Sequence, residues 1–168
     1  AKVMTPGLGF LHAQTGGMPT WLVDAQPGDR PRTNIAPIII LKDGQPFMTL
    51  GAAGGFMIPP AIVQVISRVI DQGYALPEAV AAPRIAPKLN LFTASFAMDE
   101  ATLEMTPING WSPEDAEALE SVGIEVTSKT MYSLLARVHA MIRDPDTGRW
   151  TGVADPDWEG SAAMVEGL

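Results

Sequence analysis

Between Ile35 and Ile70 two apolar stretches run through a glycine cluster straight into an amphipathic helical pattern, and that order leaves few folds open. Ile38 to Leu41 and Phe47 to Leu50 flank Asp43-Gly44. An Asp-Gly pair between such runs predicts a tight hairpin, because the two central residues of the turn need positive φ. The unbroken apolar run Ile38 to Leu41 predicts a strand covered on both faces. Gly51-Ala52-Ala53-Gly54-Gly55 follows directly. Pro59 and Pro60 then suit the first turn of a helix, where N–H groups have no intrahelical partner. Ile62, Val65, Ile66, Val69 and Ile70 share one stripe of that helix, and Gly73 stops it.

Downstream, Pro77 to Val80 reads as a short helix ended by Pro83. Asn90 to Phe96 and Thr102 to Met105 are weaker strand candidates. Ser112-Pro113-Glu114-Asp115 has the pattern of a helix start, with serine as N-cap and an acid at the third position, although aspartate makes the capping box approximate. Gly123 closes that helix, and Ile124 to Thr127 alternates like a strand. Val138 to Ile142, the turn Asp144 to Gly148, and Trp150 to Val153 predict a second hairpin. The whole reads as one α+β domain, residues 1–168, with antiparallel pairing.

Several classes of function fall away. The net charge of −8 opposes nucleic-acid binding, which needs clustered Lys and Arg. There is no cysteine, so disulfides, thiolate nucleophiles and zinc–sulfur sites are excluded. His12 and His139 are the only histidines, far apart in unlike contexts, and read as structural. No metal site and no cofactor are expected. No apolar run reaches the about 18 residues of a membrane-spanning helix. Ala1 is not an initiator methionine and the residues after it do not form a signal peptide, so the chain is expected to begin within a longer protein.

The segment Gly51 to Gly55 leaves a strand and enters a helix, a geometry that can aim consecutive N–H groups at one point. It lacks the Lys and Ser/Thr of a phosphate-binding loop. Two readings remain open from spacing alone: an oxyanion hole, or a tight turn at which nothing binds.

Longer-range order narrows the choice. Arg30 to Gly55, RPRTNIAPIIILKDGQPFMTLGAAGG, resembles without a gap a γ-glutamyltranspeptidase stretch that runs R-P-L-S-S-M-x-P-T-I-V, K-D-G and G-S-P-G-G. Ile70-Asp71-Gln72-Gly73, Glu78-Ala79-Val80, Ala82-Pro83-Arg84, Gly110 to Pro113, Arg143 to Gly148 and Ala154-Asp155-Pro156 match further family elements in order. Near the start, Pro6 to Leu11 resembles the family's P-G-T-G-I-L. The resemblance covers nearly the whole chain and identifies it with the C-terminal part of the family's small subunit. It implies part of an N-terminal-nucleophile hydrolase sandwich, two antiparallel sheets between helical layers, completed by a large subunit cut from the same precursor. It implies amide cleavage and acyl transfer by a threonine, acting on a small γ-glutamyl or other acyl amide. Gly54 and Gly55 would donate the oxyanion hole. Thr33 and Asn34 occupy the positions of two serines that hold the substrate carboxylate. Members of the family are often secreted or periplasmic in bacteria, and no residue here signals a compartment.

This sequence departs from the family at three places. Thr5 does not match the nucleophile, which is expected upstream of Ala1. Leu11 to Met18, LHAQTGGM, has no carboxylate where the family binds the substrate α-ammonium group. Thr33-Asn34 replaces Ser-Ser, and Ala53 replaces proline. Among the remaining polar residues, Arg84 reads as a structural ion-pair or carbonyl-binding arginine and Asp155 as a turn former. Asp99, Glu100 and Glu104 read as a solvated acidic face. Met4, Met18, Met48 and Met57 read as packing.

Overall fold

The computed structural model describes residues 4–9, 26–30, 33–90, 95–104, 110–129, 135–156 and 160–161. The chain divides into two compact units, Ala1–Asn34 and Ile35–Leu168. Among the described residues, all the helices and strands given below lie in the second unit. Strand β1 (Ile38–Lys42) and strand β2 (Gln45–Ala53) form the expected hairpin, followed by a 3₁₀ turn (Gly55–Met57), helix α1 (Ile58–Ile70) and helix α2 (Leu76–Ala81). Then come β3 (Ile85–Asn90), β4 (Ser95–Glu104), α3 (Pro113–Ser121), β5 (Glu125–Lys129), β6 (Arg137–Arg143) and β7 (Trp150–Val153).

Asp43 and Gly44 both take positive φ, 53° and 76°, so the two-residue turn matches the right-handed twist of its strands. Pairing runs Lys42 with Gln45 and Leu41 with Pro46, and a bulge before Ile40–Met48 absorbs Phe47. β6 joins the other side of β2, and β7 pairs with β6, giving the antiparallel order β1-β2-β6-β7. Helices α1 and α2 cover one face of this sheet. Met48 and Leu50 of β2, Val138 and Ala140 of β6, Ile62 and Val65 of α1, and Leu76 and Val80 of α2 form a single buried cluster. The strand period sends every second side chain into it.

The opposite face differs from expectation. β1 is an edge strand, and its continuous apolar run is covered on one side only: Ile39 is 71% exposed and Leu41 59%. Within the second unit, none of the described helices packs on that face. A concavity of about 610 Å³ there is lined by Thr49, Gly51, His139, Met141, Trp150 and Ser161, among others.

The second sheet has the order β3-β4-β5. β3 and β4 are antiparallel, but β4 and β5 are parallel, joined through α3. The stretch expected as one strand, Asn90 to Phe96, is divided instead between the end of β3 and the start of β4, with Asn90 opposite Ser95. Strand β3 was hidden by Pro87, which sits at a register shift, one of the few places a sheet tolerates proline. Glu104 is also corrected: it is 4% exposed and does not belong to a solvated acidic face. Met48 and Met57 pack in or against the core, Met4 is exposed, and Met18 lies outside the described residues.

Gln64 locks α1 to β3. Its amide nitrogen donates to the Ile85 carbonyl at 2.7 Å and its oxygen accepts the Ile85 N–H at 3.0 Å, as a neighbouring strand would. Gln64→Leu leaves both backbone groups without that partner. Both bonds are half-buried, so a loss of about 1 kcal/mol, the low end for an orphaned polar group, is expected, read as a fall in Tm. A Tm within a degree of the parent would mean water replaces the amide.

The helix start at Ser112 is a full capping box. Ser112 Oγ accepts the Asp115 N–H at 3.2 Å, and Asp115 Oδ2 accepts the Ser112 N–H at 2.9 Å. These bonds, the backbone one first, lower the Asp115 carboxyl below the ordinary aspartate value of 3.8. A depressed folded pKa contributes stability that is complete above the unfolded value and is lost as pH falls through the folded one. The Asp115 side-chain carbon resonance should therefore titrate below the ordinary aspartate midpoint. The Ser112→Ala variant, which loses the hydroxyl but keeps the backbone N–H that contributes most, should raise it only in part. An unshifted midpoint in the parent would remove the box.

Candidate active site

The turn at the end of β2 is where sequence and structure converge. Ala53, the last residue of β2, pairs with Arg137, the first of β6. One step further, Gly54 (φ 154°, ψ 19°) faces Ala136 (φ 69°). The ladder ends at this pair because neither residue has strand dihedrals. A Cβ on Gly54 would lie 2.5 Å from both Cα and Cβ of Ala136, well inside van der Waals contact. Glycine is thus required at 54 by a neighbouring backbone and by φ together. Gly55 differs: its φ is 59° and a Cβ would meet open space. Gly55 opens the 3₁₀ turn, which the Met57 N–H closes on the Gly54 carbonyl at 3.1 Å. The first N–H groups of such a turn have no carbonyl within it to bond.

Behind Ala136 lies a buried ionic cluster. Arg84 Nη2 donates to Asp155 Oδ2 at 2.7 Å, while its backbone N–H and Nε donate to Glu104 Oε2 at 2.9 and 3.4 Å. Arg84 and Asp155 are each 1% exposed. The same Asp155 oxygen accepts the Val138 N–H at 3.1 Å. Ala140 pairs with Val153, so two residues on Asp155 stands where the next β7 acceptor would be and supplies it from its side chain. Trp111 Nε1 donates to the Arg84 carbonyl at 2.9 Å. Arg68, on α1, donates to the carbonyls of Ala79, Ala82 and Pro83. Burial and then the Arg84 charge lower its pKa, and Glu104 raises it. Two guanidinium groups and two carboxylates balance in charge, the condition for burying ions at all. Arg84 is the structural ion-pair arginine expected, whereas Asp155 is more than a turn former.

Among the residues singled out by sequence, Gly54 and Gly55 are consecutive at the end of the central strand β2. Thr33 and Asn34 end the first unit in irregular backbone, Thr33 exposed and Asn34 partly buried. The segment Leu11 to Met18 and His12 lie outside the described residues. His139 is on the open sheet face. Ala136 was missed: nothing in the run Leu135-Ala136-Arg137 signals a left-handed alanine, and only the approach of Gly54 reveals it. Among the described residues no group of three His, Asp or Glu could hold a metal ion, and no helix is long and apolar enough to cross a membrane.

A sheet with helices on one face and a glycine turn leading from its central strand into the covering helix is an arrangement with solved counterparts. The γ-glutamyltranspeptidase of Pseudomonas nitroreducens complexed with L-DON superposes with a TM-score of 0.68 at 23% identity, over 84% of this chain and 67% of that one. The chain therefore has, in part, the N-terminal-nucleophile hydrolase fold of that protein. The sequence pattern of the Gamma-glutamyltranspeptidase family matches residues 3–165, and the chain belongs to that family. The glutathione hydrolase proenzyme of Escherichia coli is 29% identical over 90% of this chain, and acylase ACY 1 proenzyme of a Pseudomonas strain is 30% identical over 84%. The chain spans 23% and 22% of those two relatives.

Proposed function

We propose that these residues serve as the C-terminal portion of the small subunit of an amide-cleaving acyltransferase. Its nucleophile is a threonine outside the 168 residues, in the rest of the small subunit, and its partner is a large subunit from the same precursor. The observation that carries this is the Gly54-Gly55 turn, held against Ala136 at the end of the central strand in a chain of this family. In the proposed reaction the threonine Oγ adds to the amide carbonyl carbon, and its proton passes to the threonine's own α-amino group. The N–H groups of Gly54 and Gly55 meet the charge that develops on the carbonyl oxygen. The C–N bond then breaks, the amine leaves with the proton, and water or an acceptor amine attacks the resulting ester. Thr33 and Asn34 bind a carboxylate of the substrate. The 168 residues alone, without that threonine, carry no turnover.

The acyl group remains a choice between two chemistries. A γ-glutamyl substrate brings an α-ammonium group that requires a carboxylate partner, and Leu11 to Met18 contains none. That absence supports the second reading, an acyl amide without a free α-amino group, while the likenesses extend to glutathione hydrolases and an acylase proenzyme alike. The test compares γ-glutamyl anilide with glutaryl anilide on the complete protein. The glutaryl compound is expected to reach at least comparable kcat/KM. A hundredfold preference for the γ-glutamyl compound would restore ammonium recognition from elsewhere, and turnover of neither compound would leave a non-catalytic binding role.

A further inference from the structure

We infer that Arg84 and Asp155 are positioning residues for the Gly54-Gly55 turn, acting through the start of β6. The inference rests on the oxyanion reading of that turn and extends it to residues that touch no substrate.

The path is short. Arg84 Nη2 fixes Asp155 Oδ2 at 2.7 Å, and that oxygen holds the Val138 N–H at 3.1 Å. Val138 is opposite Ala52, and Arg137 is opposite Ala53. Ala136, next in line, is fully buried and left-handed, and its Cα and Cβ press on Gly54 so closely that a Cβ there would stand 2.5 Å from each. An alanine in that conformation is unfavourable by itself and persists only where its surroundings impose it. β7 ends at Val153 and no longer pairs with β6 at Val138. The Asp155 carboxylate takes over on that side, and Arg84 stops the carboxylate from turning away. Without it the first residues of β6 can relax toward ordinary strand geometry, and Gly54 loses the surface that sets its N–H direction. Positions misplaced by about 1 Å can cost about a hundredfold in rate, so this support acts on the transition state and leaves ground-state binding largely intact.

The test uses the complete protein with whichever anilide it turns over, and counts active sites with a covalent, nucleophile-directed inhibitor. Asp155→Ala should lower kcat per titrated site by about 10- to 100-fold with KM within about twofold. Asp155→Asn, which keeps an oxygen for both donors, should recover most of that loss. If Asp155→Ala yields no titratable sites, Asp155→Ser, whose hydroxyl is too short to bridge, is read the same way. Combined with Gly54→Ala, the Asp155→Ala loss should shrink, since two changes acting through one turn are not additive. A purely architectural role would lower Tm and the number of titrated sites, leave kcat per site unchanged, and overturn the inference. If Gly54→Ala itself leaves kcat intact, the oxyanion reading fails and the inference falls with it. If Gly54→Ala is crippled while Asp155→Ala is not, only the relay fails.

Discussion

Arg84→Met should remove about 3–5 kcal/mol of stability, the cost of leaving buried carboxylates without their cation. That is a large share of the roughly 5–15 kcal/mol by which a domain is stable. In a chain of this size it corresponds to a fall in Tm of about 6–20 °C. The side chain is 1% exposed and binds two carboxylates from separate parts of the fold, Glu104 at the end of β4 and Asp155 beyond β7. Methionine has comparable reach but offers no donor, so both acceptors lose charge and hydrogen bonds at once. Calorimetry on the complete protein reads the effect, with Lys88→Met as the comparison. Lys88 also pairs with a carboxylate, Glu100, but at the surface, where solvent screening leaves such a pair little effect on stability. Similar melting of the two variants would mean that Glu104 and Asp155 recover partners from protons or water.

Gly54→Ala and Gly55→Ala should separate sharply although the residues are neighbours. At 54 the new methyl group collides with buried backbone at 2.5 Å, so the turn must move. Loss of an oxyanion donor costs about a hundred- to a thousandfold in kcat, and the displaced turn should lose at least that order. At 55 there is room, and the cost is that of a left-handed alanine, about 1–2 kcal/mol, spread over stability and geometry. Gly55→Ala should therefore retain far more activity. Ala136→Gly should not rescue Gly54→Ala, because the Ala136 Cα alone is already 2.5 Å away. Steady-state kinetics on the complete protein decides this, and equal losses at 54 and 55 would place the constraint in φ alone.

The parts of the fold that could be read from sequence are those whose cause is local. The Asp43-Gly44 hairpin, the Pro59-Pro60 helix start and the Ser112 cap follow from dihedral preference and hydrogen-bond reach within a few residues. The β6–β7 hairpin was legible from its turn in the same way. β3 was not, since Pro87 argues against a strand until the register shift beside it is known. The parallel pairing of β5 with β4 was equally hidden, because a crossover partner is set by packing and leaves no local mark. At the site, both glycines were visible as a pattern, but spacing could not say why 54 must be glycine. That reason lies 82 positions away at Ala136, whose conformation is imposed by its surroundings. Glu104 looked like a surface acid because it was grouped with Asp99 and Glu100, five and four residues before it. Its burial depends on Arg84, which no periodicity connects to it.

The exposed row Ile39, Leu41 and Met141, on the side of β1-β2-β6-β7 away from α1 and α2, has a consequence for heredity. A sheet with one finished and one unfinished face can be inherited safely only alongside whatever finishes it. Changes on this face are then answerable to a second stretch of polypeptide as much as to the residues beside them. A rearrangement that separated the two would release a chain with an apolar surface and an unpaired strand edge, prone to self-association. A single translated precursor, as proposed, supplies both stretches in equal number.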